Sequence, residues 1–230
     1  MATHLHLEEQ EQLDQLKAFW KRWGNLATLI LIAVLGTLAA WNGWQWYQRD
    51  QAVKASGMYD ELELAATSND AERAGLVFND LKTRYPRTAY TQQAGLLAAK
   101  VQFEKGQLDA ASTTLTWVGE NAAEAEYRVL ARLRLAALLL EQKKLDEAIK
   151  QLDEAEKGAS PEFLALVSDR RGDVLLAQNK PEPAIAAYRK AWDLMDPKVE
   201  YRRLIDAKLT ALAAAPEPLK TPEAASGAKP

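Results

Sequence analysis

The chain has 230 residues, 29 basic and 32 acidic side chains, a net charge of −3, two histidines and no cysteine. With no basic block and no Gly-rich phosphate loop, this balance excludes the electrostatic signature of a nucleic-acid partner, and the missing cysteines leave no disulfide framework to read. Ala, Leu, Glu, Gln and Lys abound while β-branched residues are few, so helices are favoured throughout and a sheet would have little to be made from.

The chain starts with an acidic segment that carries both histidines, His4 and His6, and an amphipathic stripe of Leu13, Leu16 and Trp20. From Trp23 to Gln48 there is then no charged side chain. Its apolar heart, Leu26 to Ala40, has no polar face and so cannot be a soluble amphipathic helix. Trp20 and Trp23 sit at one end, and Trp41, Trp44, Trp46 and Tyr47 at the other, where amphipathic rings favour the headgroup level of a bilayer. From Trp23 to Trp41 a helix rises roughly 27 Å at about 1.5 Å per residue, close to a hydrocarbon core of about 30 Å. Signal cleavage near Thr37-Leu38-Ala39 would leave the second tryptophan cluster with no bilayer to hold it, so an uncleaved transmembrane helix over 23–48 is expected.

Lys17, Lys21 and Arg22 precede the span, and Arg49 and Lys54 follow it. This slight cationic bias favours a cytoplasmic segment at 1–22 and a translocated domain beyond residue 48, which in a Gram-negative envelope is periplasmic. Residues 215–230, with Pro216, Pro218, Pro222 and Pro230 among Ala, Glu, Lys, Ser and Gly, cannot bury a core and are expected to be a disordered tail.

Between these limits the sequence repeats at a period of 36 to 37 residues. Gln142 to Ile149 aligns with Gln178 to Ile185, and Glu104 to Ala111 matches Glu141 to Ala148. Leu152 keeps step with Tyr188, Ala155 with Ala191, and Pro161 with Pro197; an earlier, divergent unit keeps Ala74, Phe78, Leu81 and Pro86. The order within each unit resembles the tetratricopeptide repeat. A small residue on the first helix (Ala99, Ala136, Gly172) lets the second helix approach near Ala111, Ala148 or Ala184, and a bulky Phe78, Leu115, Leu152 or Tyr188 fills the space between units. Proline marks the unit boundaries. Helix pairs are predicted near 51–67 and 70–84, 87–105 and 108–120, 123–142 and 145–157, and 161–179 and 182–195. A capping helix near 198–214 completes an all-α chain: one transmembrane helix, then a solenoid of about four repeats over 49–214.

Nothing in this pattern carries catalysis. The repeat region has no histidine or cysteine, so the usual nucleophile–base pair and metal-ligand spacings are missing, and neither enzyme activity, cofactor nor small-molecule substrate is expected. Acidic pairs such as Asp146-Glu147 and Asp153-Glu154 read as solvated charges. A solenoid of helix pairs presents its first helices on a concave face that binds segments of other proteins. The recurring positions fall at Gln93, Leu96, Lys100 and Phe103, then Leu130, Leu133, Ala137 and Leu140, then Leu166, Asp169, Asp173 and Leu176.

The whole arrangement resembles the YfgM-like ancillary subunits of the bacterial SecYEG export channel. The resemblance rests on Glu11, Leu16-Lys17-Ala18-Phe19-Trp20 and Gly24, on an anchor ending Gly43-Trp44-Gln45-Trp46-Tyr47, and on the repeats, notably Leu133-Arg134-Leu135-Ala136 and Asp169-Arg170-Arg171-Gly172-Asp173. It implies a single-pass inner-membrane protein whose periplasmic domain works beside the translocon with the chaperone PpiD, handing on newly exported chains. It also implies a link to an envelope stress response through the cytoplasmic side. An oligomeric scaffold of an envelope assembly machine is the competing reading.

Overall fold

A computed structural model describes residues 7–215. His4, His6 and the Pro/Ala-rich segment from residue 216 onward lie outside the described residues. Every regular element among the described residues is an α-helix, and the chain divides into two compact units, Met1–Gln51 and Ala52–Pro230.

The first helix, α1 (Leu7–Thr67), contains the whole of the apolar stretch. Within the first unit, the large aliphatic side chains from Leu26 to Leu38 and the rings of Trp20, Trp23, Trp41, Trp44, Trp46 and Tyr47 all stand exposed. Leu29 is 64% exposed and Trp46 72%, values that water would penalise and a bilayer would not. Polar side chains in the stretch bond to their own helix: Thr28 Oγ1 donates to the Gly24 carbonyl at 2.8 Å, Thr37 Oγ1 to Ala33 at 2.8 Å, and Asn42 Nδ2 to Leu38 at 3.0 Å. These three bonds are made within the helix and without water, as a hydrocarbon setting favours. This is the one helix among the described residues long and apolar enough to cross a membrane.

The sequence predicts a span ending at Gln48 and a separate repeat helix starting near residue 51, but α1 runs through both without a break. No proline interrupts it, and Gly57, exposed with open space around it, costs a helix only about 1 kcal/mol relative to alanine.

In the second unit, the end of α1 pairs with α2 (Ala71–Arg84), α3 (Ala89–Glu104) with α4 (Leu108–Asn121), α5 (Ala125–Glu141) with α6 (Leu145–Glu156), and α7 (Pro161–Ala177) with α8 (Pro181–Leu194). A final helix, α9 (Arg202–Ala211), packs on α8. Each boundary of α2 to α9 falls within four residues of its predicted place.

One turn recurs inside every pair. Asn69, Gly106, Lys143 and Asn179 are left-handed, with φ of 56°, 73°, 59° and 58°, at spacings of 37, 37 and 36 residues. In each, the N–H of the next residue reaches back to a carbonyl of the preceding helix: Asp70 to Ala65, Gln107 to Gln102, Lys144 to Leu139 and Lys180 to Leu175, at 2.8 to 3.0 Å. This is the Schellman closure of a helix C-terminus. Ala213 (φ 56°) repeats it after α9, with the Ala214 N–H on the Leu209 carbonyl at 2.9 Å. The capping helix is therefore built like the first helix of a fifth unit.

Close approach of paired helices depends on the small residues. Ala99, Ala136, Ala111, Ala148 and Ala184 are fully or almost fully buried, as are the bulky Phe78, Leu115, Leu152 and Tyr188. A Cβ placed on Gly172 would stand 2.4 Å from Tyr188 Cε1, and one on Gly95 would stand 2.3 Å from Val118 Cγ2 and 2.8 Å from Phe78 Cε2. Phe78 also meets the Trp117 ring edge-on at 5.4 Å. Boundaries between units are held by caps: Thr88 accepts the Thr91 N–H ahead of α3, and buried Gln92 exchanges two 2.9 Å hydrogen bonds with Glu124, the N-cap residue of α5. Arg128 donates to the Ala122 and Ala123 carbonyls at the end of α4, where cations suit the helix dipole.

Gly172→Ala should overpack the α7–α8 contact and cost about 1–3 kcal/mol. Gly57→Ala should leave stability unchanged or raise it by up to about 1 kcal/mol. Thermal melts of the full chain in detergent check both, and equal effects would refute the interlock.

Candidate functional site

The first helices α3, α5 and α7 touch one another in succession and build the face on which the twelve predicted binding positions lie. These positions sort by register. Leu96, Leu133 and Asp169 turn inward, at 6%, 9% and 1% exposure. Gln93, Leu130 and Leu166 are half-buried; Gln93 Nε2 donates to Tyr127 Oη at 3.0 Å, and the two leucines pack on the core. Lys100 is exposed, with Ala137 and Asp173 partly so. Phe103 and Leu176 are open at 39% and 40%, and Leu140 is half-buried between them in sequence.

Two adjoining hollows open on this face. The larger, of about 380 Å³, includes Lys100, Phe103 and Ala137 from the predicted set, together with Ala99, Leu115, Leu138, Arg134, Glu141 and Arg170. The smaller, of about 220 Å³, takes in Gln93, Leu96 and Lys100 with Leu97, Tyr127 and Arg134. Lys100 and Arg134 line both. Leu130, Leu133, Leu140, Leu166, Asp169, Asp173 and Leu176 line neither. Three of the lining residues that sequence reasoning missed share one register: Leu97, Arg134 and Arg170 lie 37 and 36 residues apart. The repeat alignment contained that signal, but a charged residue beside a leucine run reads first as a solvated helix face.

Asp169 and Asp173 do something else. Lys208 Nζ of α9 bonds both oxygens of Asp169 at 2.8 Å and Asp173 Oδ1 at 2.7 Å. Tyr201 Oη donates to Asp169 at 2.8 Å, and Tyr188 Oη to Asp173 at 2.8 Å. The Arg202 guanidinium lies 3.9 Å from the Trp192 ring centroid, which ties α9 to α8 as well. Asp169 is thus an internal anchor for the last helix and is withdrawn from any open groove. On the outer side, Arg171 bridges Asp153 at 2.7 Å and Glu156 at 2.9 Å, joining α7 to α6. Lys190 of α8 also bonds Glu156, and that hydrogen bond holds the Glu156 carboxyl below the usual range. Among the described residues, no group of three or more His, Cys, Asp or Glu is placed to hold a metal ion.

Burial, then the hydrogen bond to Asp173, pushes the Tyr188 phenol well above its ordinary value of 10.0. Burial and Asp169 do the same to Tyr201. An acid whose folded pKa is raised contributes stability that is complete below the unfolded value and lost as pH rises past it. The full chain should therefore lose stability above about pH 10, and Tyr188→Phe should flatten that fall while costing about 0.5–1.5 kcal/mol at neutral pH. Lys208→Met should cost more, about 3–5 kcal/mol, by stranding the buried Asp169 charge. Denaturant titrations across pH check both, and an unchanged alkaline slope in Tyr188→Phe would refute the assignment.

Comparison with known proteins bears on the whole chain. Residues 17–214 match the family model of a tetratricopeptide repeat-like domain. A protein named ancillary SecYEG translocon subunit from Neisseria gonorrhoeae is 33% identical over 212 residues, covering 90% of this chain and 98% of that relative. Proteins of the same name from Haemophilus influenzae and Escherichia coli are 28% and 25% identical, over 80% and 82% of this chain and 89% and 87% of theirs. One span-bearing helix, a helix-pair array in a single register, and relatives matched over nearly their full length converge: the chain belongs to the YfgM-like family of ancillary SecYEG translocon subunits.

Proposed function

We propose that this protein is a non-enzymatic interaction subunit of the inner membrane that works beside the SecYEG translocon. The observation that carries this reading is the 33% identity to an ancillary SecYEG translocon subunit across 98% of that relative, anchor and repeats together. In the proposed arrangement residues 1–22 lie in the cytoplasm, 23–48 span the membrane, 49–214 form the periplasmic repeat domain, and 215–230 are a tail. The face of α3, α5 and α7 then meets translocon subunits, a PpiD-like periplasmic chaperone, or newly exported chains as they emerge. Two features support this role. Exposed Phe103 and Leu176 and the adjoining hollows offer apolar contact area, and a tether in the same bilayer raises effective concentration at membrane partners without any added contact.

Photocrosslinking from Lys100 and Phe103 in intact cells should yield adducts with SecYEG subunits, a PpiD-like chaperone or nascent secreted chains. Capture of this chain alone would instead favour a self-associating scaffold. A phosphatase fused after Asp60 should be active, and an inactive fusion would overturn the orientation.

A further inference from the structure

We propose that the cleft of α3, α5 and α7 takes a short segment of a partner chain in which an apolar side chain is flanked by carboxylates. This proposal rests on the cleft being a protein-binding site, and it names the chemistry of what binds there.

The floor is apolar. Ala99 and Ala137 are small enough to leave the larger hollow, Leu115 and Leu138 surface it, and Phe103 stands at its edge. Its volume of about 380 Å³ suits one or two side chains rather than a helix.

The charge above that floor is inverted. The chain as a whole carries three more acids than bases, yet the residues lining the two hollows include three cations, Lys100, Arg134 and Arg170, and a single acid, Glu141. Two of the three cations, Lys100 and Arg134, are not committed to a strong internal pair. Lys100 meets Glu104 at 3.7 Å, one turn along the same exposed helix face, a pair of little worth. Arg170 is partly engaged: it lies 3.3 Å from Asp173 Oδ2, and because Lys208 is shared between Asp169 and Asp173, one of those two charges is left for Arg170 to balance. Arg134 has, among the described residues, no carboxylate partner; its Nη1 donates at 3.2 Å to the carbonyl of Leu96. Its planar fork therefore keeps donors for a bidentate carboxylate.

Such a constellation discriminates. An inorganic anion would leave the apolar floor wet, and a cationic or purely apolar segment would cover Arg134 without pairing it, a cost that counts against those partners. An apolar anchor with neighbouring carboxylates satisfies floor and rim together. Gln93 and Tyr127, at the smaller hollow, add hydrogen-bonding groups for the segment's backbone.

Fluorescence polarisation on the full chain in nanodiscs tests this with three labelled hexapeptides sharing a Phe-Leu centre, flanked by Asp and Glu, by Asn and Gln, or by Lys. The acid-flanked peptide should bind about tenfold or more tightly than its amide counterpart, with affinity falling as salt rises, and the Lys-flanked peptide should bind weakest. Arg134→Met should reduce the acidic peptide's affinity about tenfold and leave the amide peptide's nearly unchanged, while Arg134→Lys restores part of the loss. Lys100→Gln, at an exposed position that lines both hollows, should act in the same direction, so that a folding defect in one variant does not decide the matter. Equal binding of all three peptides, binding of none, or indifference to both the Arg134 and Lys100 variants overturns the proposal. Failure of Lys100 to crosslink translocon subunits, with acid-selective binding intact, would sink the proposed cellular role and leave this chemistry standing; crosslinking with charge-indifferent binding would do the reverse.

Discussion

The close approach of paired helices at small residues is the constraint on which the repeat domain depends. Where Gly172 faces the Tyr188 ring and Gly95 faces Val118 and Phe78, there is no room for even a methyl group. Helices that approach this closely bury alanine faces completely and place the bulky residue of each unit where it touches its neighbours. The stack, and with it the succession of α3, α5 and α7, follows from that spacing. The hollows around Lys100 and Arg134 lie along that succession, floored by Ala99 and Ala137.

Polar order is concentrated at the C-terminal end. Asp169, Asp173, Tyr188, Tyr201 and Lys208 form one connected group drawn from three helices. Buried ion pairs add little net stability, but breaking one is costly, so they discriminate between placements of an element more than they strengthen it. Here the group allows α9 one seat on the stack. A terminal helix with only apolar contacts could slide along its support; one whose lysine must reach two carboxylates cannot. The array is thereby closed by electrostatics as much as by its apolar cover.

Much of this was legible in the sequence. Helix positions in α2 to α9, the pairing of small with bulky residues, and the apolar span all follow from periodicity, because 3.6-residue spacing and a 36- to 37-residue repeat register are local signals. The continuity of α1 was not legible. A change from apolar to amphipathic pattern after Gln48 looks like a boundary, although no residue there breaks a helix. The candidate site was legible by face and not by residue. Register alone brought Lys100, Phe103 and Ala137 to the cleft, but Asp169 could be recognised as internal only once Lys208 and Tyr201, more than thirty positions away, were seen to reach it. Arg134 escaped for the opposite reason. Its environment is made by two neighbouring helices, and a single-helix pattern does not show whether a cation is solvated or gathered with others.

The left-handed turns bear on how far such a chain can drift. Asn, Gly and Lys serve at equivalent positions within one molecule, and Ala serves after the last helix. Each closes on main-chain donors and acceptors, so the motif asks of the sequence little more than tolerance of a positive φ. The most regular feature of the architecture is thus among the least encoded in side-chain identity. Relatives can fall to 25% identity along more than four-fifths of the chain, and the joint between paired helices asks almost nothing of the residues that change.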